Sequence, residues 1–226
     1  MINKIIFILS VSILPLGTSI AIDVGDITET INSDKEMLSK EIKNTVSTAR
    51  LVNLNVQKIS SPMEEGSSLT MSSDEILSTP ANLILPGEAS DIFKIIYNGP
   101  ADDTERYYRL NWQDDPVSSN GSTTSNKSAV ATTSATISTI LVVAPRLENF
   151  NYQYNNGVVK NTGNSSFRVV ASGPCLTSQS KHSQNGVCRE RYYLMPNLKV
   201  KMQRVNTTNK KTTIGIWHKE EFIIAK

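Results

Sequence analysis

The sequence predicts an all-β protein made of two β-sandwich domains. Short apolar–polar alternations recur along the chain, Pro and Gly turns separate them, and helical periodicity is scarce. The 226 residues are 38% hydrophobic and 19% charged, not acidic or basic enough for a disordered tail and too long for a disulfide miniprotein. The formal charge of +2 argues against nucleic acid as the main partner, because phosphate binding needs clustered Lys and Arg. No stretch after the N-terminus is long and apolar enough to span a bilayer, so no membrane insertion is expected.

Residues 1–21 stand apart. Lys4 precedes a nearly unbroken apolar run from Ile5 to Leu16, and Ser19 and Ala21 put small residues at positions −3 and −1. This is the pattern of a secretory signal peptide cleaved after Ala21. A transmembrane anchor is the alternative, but the apolar core is short and Pro15 and Gly17 break it. The mature chain, Ile22 to Lys226, has 205 residues, with 22 Lys and Arg against 21 Asp and Glu.

Ser33 to Ile42 is the best helical candidate, about one amphipathic repeat long. Period-two segments follow at Leu51–Ile59, Asn82–Leu85, Asp91–Tyr97 and Arg106–Trp112. They end at Ser60-Ser61-Pro62, Pro86-Gly87, Asn98-Gly99-Pro100 and Asp114-Asp115-Pro116, all turn-forming sequences. From Ser118 to Thr139, 13 of 22 residues are Ser or Thr. The first part reads as a loop, and from Ala129 a long alternating strand begins that becomes fully apolar over Ile140–Ala144. Pro145-Arg146 is the expected boundary, giving domains 22–145 and 146–226. Beyond it, Phe150–Tyr154 alternates up to Asn155-Asn156-Gly157. Val158–Lys160 and Phe167–Val170 read as the two arms of a hairpin with a Gly at its tip. Leu194–Pro196, Lys199–Val205 and Thr213–Trp217 supply further strands.

Export sets the redox compartment. Cys175 and Cys188 flank a polar, loop-like segment, which in an exported protein most simply means one disulfide. Metal binding through His182 between them is the sharper alternative, and it lacks a fourth ligand. His218 reads as an ordinary strand residue.

No Gly-rich phosphate loop, His-Glu-x-x-His or Gly-x-Ser-x-Gly is present, so no catalytic constellation and no cofactor are expected. Glu64-Glu65 and Asp102-Asp103 lie in turn contexts and read as solvated charges. Asn-x-Ser/Thr sequons begin at Asn120, Asn126, Asn164 and Asn206, as glycan sites in a eukaryotic secreted protein or as hydroxyl-rich loops in a bacterial one. The unusual feature is the long strand. An edge strand with small apolar residues on one face is an aggregation hazard, or a means of completing another protein's sheet. An ordinary core strand is the plainer reading of the same residues.

Thr79-Pro80, Leu83–Glu88, Phe93–Tyr97 and Glu105–Leu110, in this order, resemble the first domain of periplasmic pilus (fimbrial) chaperones of the PapD-like superfamily. Ala135–Arg146, Gly173-Pro174-Cys175 and Tyr192–Pro196 are similar to its alternate, class 5 branch. The resemblance implies two immunoglobulin-like domains in a boomerang arrangement. It also implies a chaperone whose last first-domain strand lends alternate side chains to a pilin subunit, which is then delivered to an outer-membrane usher without nucleotide or metal. Carried onto this chain, the donor strand is Ala129 to Val143, and the lending residues are Ala129, Ala131, Thr133, Ala135 and Ile137. A one-residue slip would present Val130, Thr132, Ser134, Thr136 and Ser138, a more polar set. The family's usual basic anchor for the pilin carboxylate is missing here. Ile22–Asn32 has no basic residue and Ile140 falls near the Lys position, which leaves Arg50, Arg109 and Lys127 as substitutes. Glu105 and Arg146 match an interdomain ion pair of the family. Self-dimerisation of the free protein would cover the donor strand. A pilus subunit or adhesin is the alternative reading, and an exported hydrolase on a β scaffold a third.

Overall fold

The computed structural model describes residues 21–117, 133–177 and 186–226. Among them there is no helix, and the strands form four sheets arranged as two sandwiches. The signal segment, the Ser/Thr-rich loop with Ala129, Ala131 and Lys127, and the loop carrying His182 lie outside the described residues.

In the first sandwich, β1 (Ile22–Asp23), β3 (Met37–Asn44), β7 (Ser90–Tyr97) and β5 (Ile76–Thr79) form one antiparallel sheet in the order β1-β3-β7-β5. The facing sheet runs β2-β9-β8-β4-β6, from β2 (Thr28–Ile31), β9 (Ala135–Val143), β8 (Arg106–Pro116), β4 (Arg50–Ile59) and β6 (Asn82–Leu85). Alternation dictates what each strand buries. On β8 the inward residues are Tyr108, Leu110, Trp112 and Asp114; on β9 they are Thr139, Leu141 and Val143. Trp112 packs edge-on against Phe93, with ring centroids 5.3 Å apart, and its indole N–H donates to Thr139 Oγ1 at 3.0 Å. Burying the indole therefore leaves no polar atom stranded. At the tip between β6 and β7, a Cβ on Gly87 would stand 2.1 Å from the Ser47 carbonyl oxygen, so only glycine lets these two loops touch.

Ser33–Ile42 is not helical. Its second half belongs to β3, where inward positions alternate with exposed ones, and two inward positions are polar, Lys40 and Asn44. These two disguised the period of two. Each is satisfied: Lys40 Nζ donates to the Asp26 carbonyl at 2.8 Å and pairs with Glu29. Asn44 Nδ2 donates to the carbonyls of Thr48, Leu85 and Pro86.

The second sandwich pairs a three-stranded sheet with a four-stranded one. The first, β10-β11-β14, uses β10 (Tyr152–Asn155), β11 (Val158–Asn161) and β14 (Lys199–Lys201). The second, β13-β12-β15-β16, uses β13 (Val187–Leu194), β12 (Phe167–Pro174), β15 (Thr213–His218) and β16 (Glu221–Ile224). Its core holds Phe167, Val169, Ile214 and Ile216, with Val159 and Val205 from the other side. Val158–Lys160 and Phe167–Val170 are not a hairpin: the chain crosses from one sheet to the other between them. The hairpin is β10–β11, closed by Asn156 and Gly157 with φ of 45° and 78°, the left-handed pair that a two-residue turn requires. Lys199–Val205 is likewise only partly strand. Beyond Lys201 the chain turns its amides inward: Gln203, Arg204 and Val205 donate to the buried Glu190 carboxylate at 2.7–2.8 Å, and Tyr192 donates its hydroxyl to it. Cys175 and Cys188 form the expected disulfide, with Cα atoms 5.0 Å apart.

Candidate functional site

The strand read from sequence as a donor lies at the margin of its sheet. Throughout its length β9 pairs with β8, from Ala135 opposite Asp114 to Val143 opposite Arg106. On its other side the short β2 runs parallel to it over Ile140–Val143 only, preceded by one bond from the Ile140 amide to the Ile27 carbonyl at 2.8 Å. From Ala135 to Thr139 that side has no neighbouring strand among the described residues.

The two halves of β9 differ as their side chains do. Ala135, Ile137, Thr139, Leu141 and Val143 share one face, which passes from exposed Ala135 through half-buried Ile137 to the fully buried remainder. Thr136 and Ser138 on the opposite face are exposed, and Ser138 donates to Asn111 Oδ1 at 2.7 Å. Further along that same face, Ile140 and Val142 meet Ile59, Tyr107, Tyr193 and Met195 in a small apolar cluster shared by the two sandwiches. Ala129 and Ala131 precede the described part, and Thr133 lies exposed just before the strand.

Arg50 sits at the start of β9 but is buried. Its Nε donates to Asp114 Oδ1 at 2.6 Å, and its Nη2 donates to the Thr133 carbonyl at 2.8 Å. It clips the strand to the sheet and is not free to hold a partner's carboxylate. Arg109 is half-buried on β8, directly opposite Ile140.

The junction between the sandwiches is built differently from the expected ion pair. Glu105 and Arg146 do not pair, because each is engaged elsewhere. Glu105 accepts from the Ser166 amide at 2.6 Å, from the Ser166 hydroxyl and from Tyr107 Oη at 2.5 Å. Burial pushes its carboxyl pKa up, against the pull of those donors. Arg146 Nη1 donates to the Asn32 and Lys35 carbonyls, both at 2.7 Å, and its guanidinium lies 4.9 Å from the Tyr97 ring centre. The charged link is Glu148. It accepts from Ser33 Oγ at 3.0 Å, pairs with Lys219, and lies 3.0 Å from His218 Nε2. Burial would raise the Glu148 pKa, but the bonds from Lys219 and Ser33 hold it below the usual range. Burial lowers that of His218, against the attraction of Glu148, and the ring stacks on Phe150 with centroids 4.2 Å apart. Beside this link is a cleft of about 240 Å3, lined by Thr30, Asn32 and Val142 on one side and Arg168, Trp217 and Lys219 on the other.

Sequence reasoning missed Ser166, Glu148 and Lys219. The only hint was the sequon at Asn164, whose side-chain amide donates to the carbonyls of Asp103 and Leu147 and so is structural.

Two immunoglobulin-like sandwiches, with an incompletely covered edge strand at the end of the first, are the fold of solved pilus chaperones. The solved class 5 fimbriae chaperone CfaA shares this fold, with a TM-score of 0.56 at 16% identity over 90% of this chain and 97% of that one. The SafB chaperone, solved in complex with the SafA pilin of Salmonella enterica, matches with a TM-score of 0.50 at 12% identity over 88% and 91%. The family model described as the EcpB C-terminal domain matches residues 150–225. The probable fimbrial chaperone EcpB of Klebsiella pneumoniae (strain 342) is 46% identical over 222 residues, covering 97% of this chain and 98% of that protein. The chain belongs to the EcpB family of fimbrial chaperones.

Proposed function

We propose that the protein works in the periplasm, where it captures a pilin subunit on the open edge of β9 and passes it to an outer-membrane usher. The observation that carries this reading is the stretch from Ala135 to Thr139, which has no second neighbouring strand among the described residues. Its backbone can extend a partner's sheet, while its side chains carry an apolar face directly onward from the chaperone's own core. Ala135 and Ile137 are the described lending residues, and Ala129, Ala131 and Thr133 continue the same parity. The small side chains suit a shallow groove. The alternative register would offer Thr136 and Ser138, which bring hydroxyls to an apolar groove. SafB's complex with a pilin is consistent with such a partner. The mechanism asks for no nucleotide and no metal. Arg168 and Lys219 stand at the cleft end of β9; they are better placed than Arg50 to meet a partner's terminal carboxylate.

Co-expression with the cognate pilin, followed by copurification from periplasmic extract, tests the reading. Ala135→Arg is the cleaner variant, because Ala135 is exposed while Ile137 also packs on the core. Loss of pilin recovery at unchanged chaperone level is expected. Undiminished recovery would reject β9 as the donor.

A further inference from the structure

The near-neutral total charge conceals a segregation. Residues 22–145 carry 9 Lys and Arg against 17 Asp and Glu, whereas residues 146–226 carry 13 against 4. Two of those four acids are occupied, Glu148 at the domain junction and Glu190 in the core. The second sandwich is therefore a strongly basic body whose field attracts anions.

Its four-stranded sheet concentrates that charge on the outer face. Strand register sets Tyr193, Arg168, Trp217 and Phe222 in one row across the sheet. The next row holds Arg191, Val170, Gly215 and Ile224, and a third begins with Arg189 and Ser172. No acidic residue occupies these rows, and none of the three arginines has an ion-pair partner among the described residues. The first row borders the interdomain cleft, and the other two are open. Trp217 and Phe222, tilted against each other with ring centroids 5.1 Å apart, remain 43% and 44% exposed. Phe222 lies down over Gly215, where a Cβ would meet its ring at 2.2 Å. The result is a groove of about 270 Å3 with a small-residue floor, an aromatic wall and an arginine wall.

We propose that this face docks an acidic, extended segment of a partner polypeptide. Guanidinium forks donate to carboxylates in bidentate fashion. Arg189 and Arg191 lie two residues apart on one strand, and an extended peptide presents alternate side chains at the same spacing of about 7 Å. The recess between the walls takes an apolar side chain, which a flat anionic lipid surface would leave unfilled. The groove between Arg189, Arg191 and Phe222 is separate from the β9 edge and does not depend on that strand's role; of the three arginines only Arg168, in the row beside the cleft, lies between the two surfaces.

The mature protein is titrated with the acetylated, amidated hexapeptide Glu-Leu-Asp-Leu-Glu-Leu while Trp emission is followed, Trp217 being exposed and Trp112 buried. A saturable shift in emission is expected. The R189E/R191E variant should weaken binding by about tenfold or more, and F222A by about threefold. K210E/K211E, which makes the same charge change on exposed lysines of a neighbouring loop, should leave it within about twofold. A135R should bind the peptide like the parent, which separates this surface from the donor strand. Absence of a saturable shift overturns the proposal. So does an equal loss in K210E/K211E, or binding to phosphatidylglycerol vesicles with none to the peptide.

Discussion

Two buried carboxylates show how single residues hold the sandwiches together. Glu190 points inward from β13 and is ionised there, because three backbone amides and the Tyr192 hydroxyl converge on it. Burial opposes ionisation, yet the donors prevail and its pKa falls below the ordinary 4.5. A depressed pKa means that its contribution is present above the unfolded value and is lost as pH falls below about 4.5 through the folded value. Glu190→Gln should cost about 2–4 kcal/mol in urea unfolding at pH 7, with the difference from the parent shrinking on acidification. Asp114 depends on a single cation. Arg50→Ala would leave it buried without its partner and should cost about 3–5 kcal/mol by the same measurement. Neither role was legible in the sequence: Arg50 stood among the substitutes for a carboxylate anchor, and Glu190 sits between two arginines with nothing to mark it as buried. A polar side chain at an inward strand position is recognisable only when its partners, 64 residues away for Arg50, have been brought to it by the fold.

The elements were most legible where inward positions are mostly apolar, Arg50 on β4 and Asp114 on β8 being the buried polar exceptions. Strands β4, β6, β7 and β8 follow the apolar alternation closely, because their buried positions are Val, Ile, Leu, Phe, Tyr and Trp with few exceptions. Strand β3 was misread for the converse reason, since Lys40 and Asn44 occupy inward positions. The link from β11 to β12 was misread because sequence proximity favours a hairpin. Instead, Asn161 donates to the Ser165 and Leu194 carbonyls and turns the chain towards the other sheet. Within the candidate site the parity of β9 was legible, and its coverage was not. How far β2 reaches along β9 is a matter of tertiary placement that two short, weakly apolar strands do not encode. This division predicts amide exchange. Amides on the uncovered side between Ala135 and Thr139 should exchange with solvent far faster than those of Ile140–Val143, and pilin binding should slow the first group alone. Equal protection along β9 in the free protein would contradict the open edge.

For the whole molecule, the mutual placement of the sandwiches rests on a few polar contacts and a small apolar cluster. Glu105 with Ser166, and Glu148 with Ser33, Lys219 and His218, bridge the two bodies. Among the described residues, the Ile59–Tyr107–Val142 cluster with Ile140, Tyr193 and Met195 adds apolar area. Interfaces of this kind permit relative motion. Glu148→Ala should leave both sandwiches folded but widen the distance distribution between spin labels placed one in each; an unchanged distribution would show that Glu105 and the apolar cluster suffice. The split character of β9 matters here too, since its last residues are shared between the first core and the junction. In a genetic screen that scores protein abundance and surface piliation separately, lesions in this strand should therefore sort by position. Those at exposed Ala135 would spare abundance and abolish piliation, those at Ile137, which also packs on the core, would lower both, and those after Thr139 would deplete the protein itself. A map of such alleles would locate, from phenotype alone, the point at which the strand passes from the partner's service to its own.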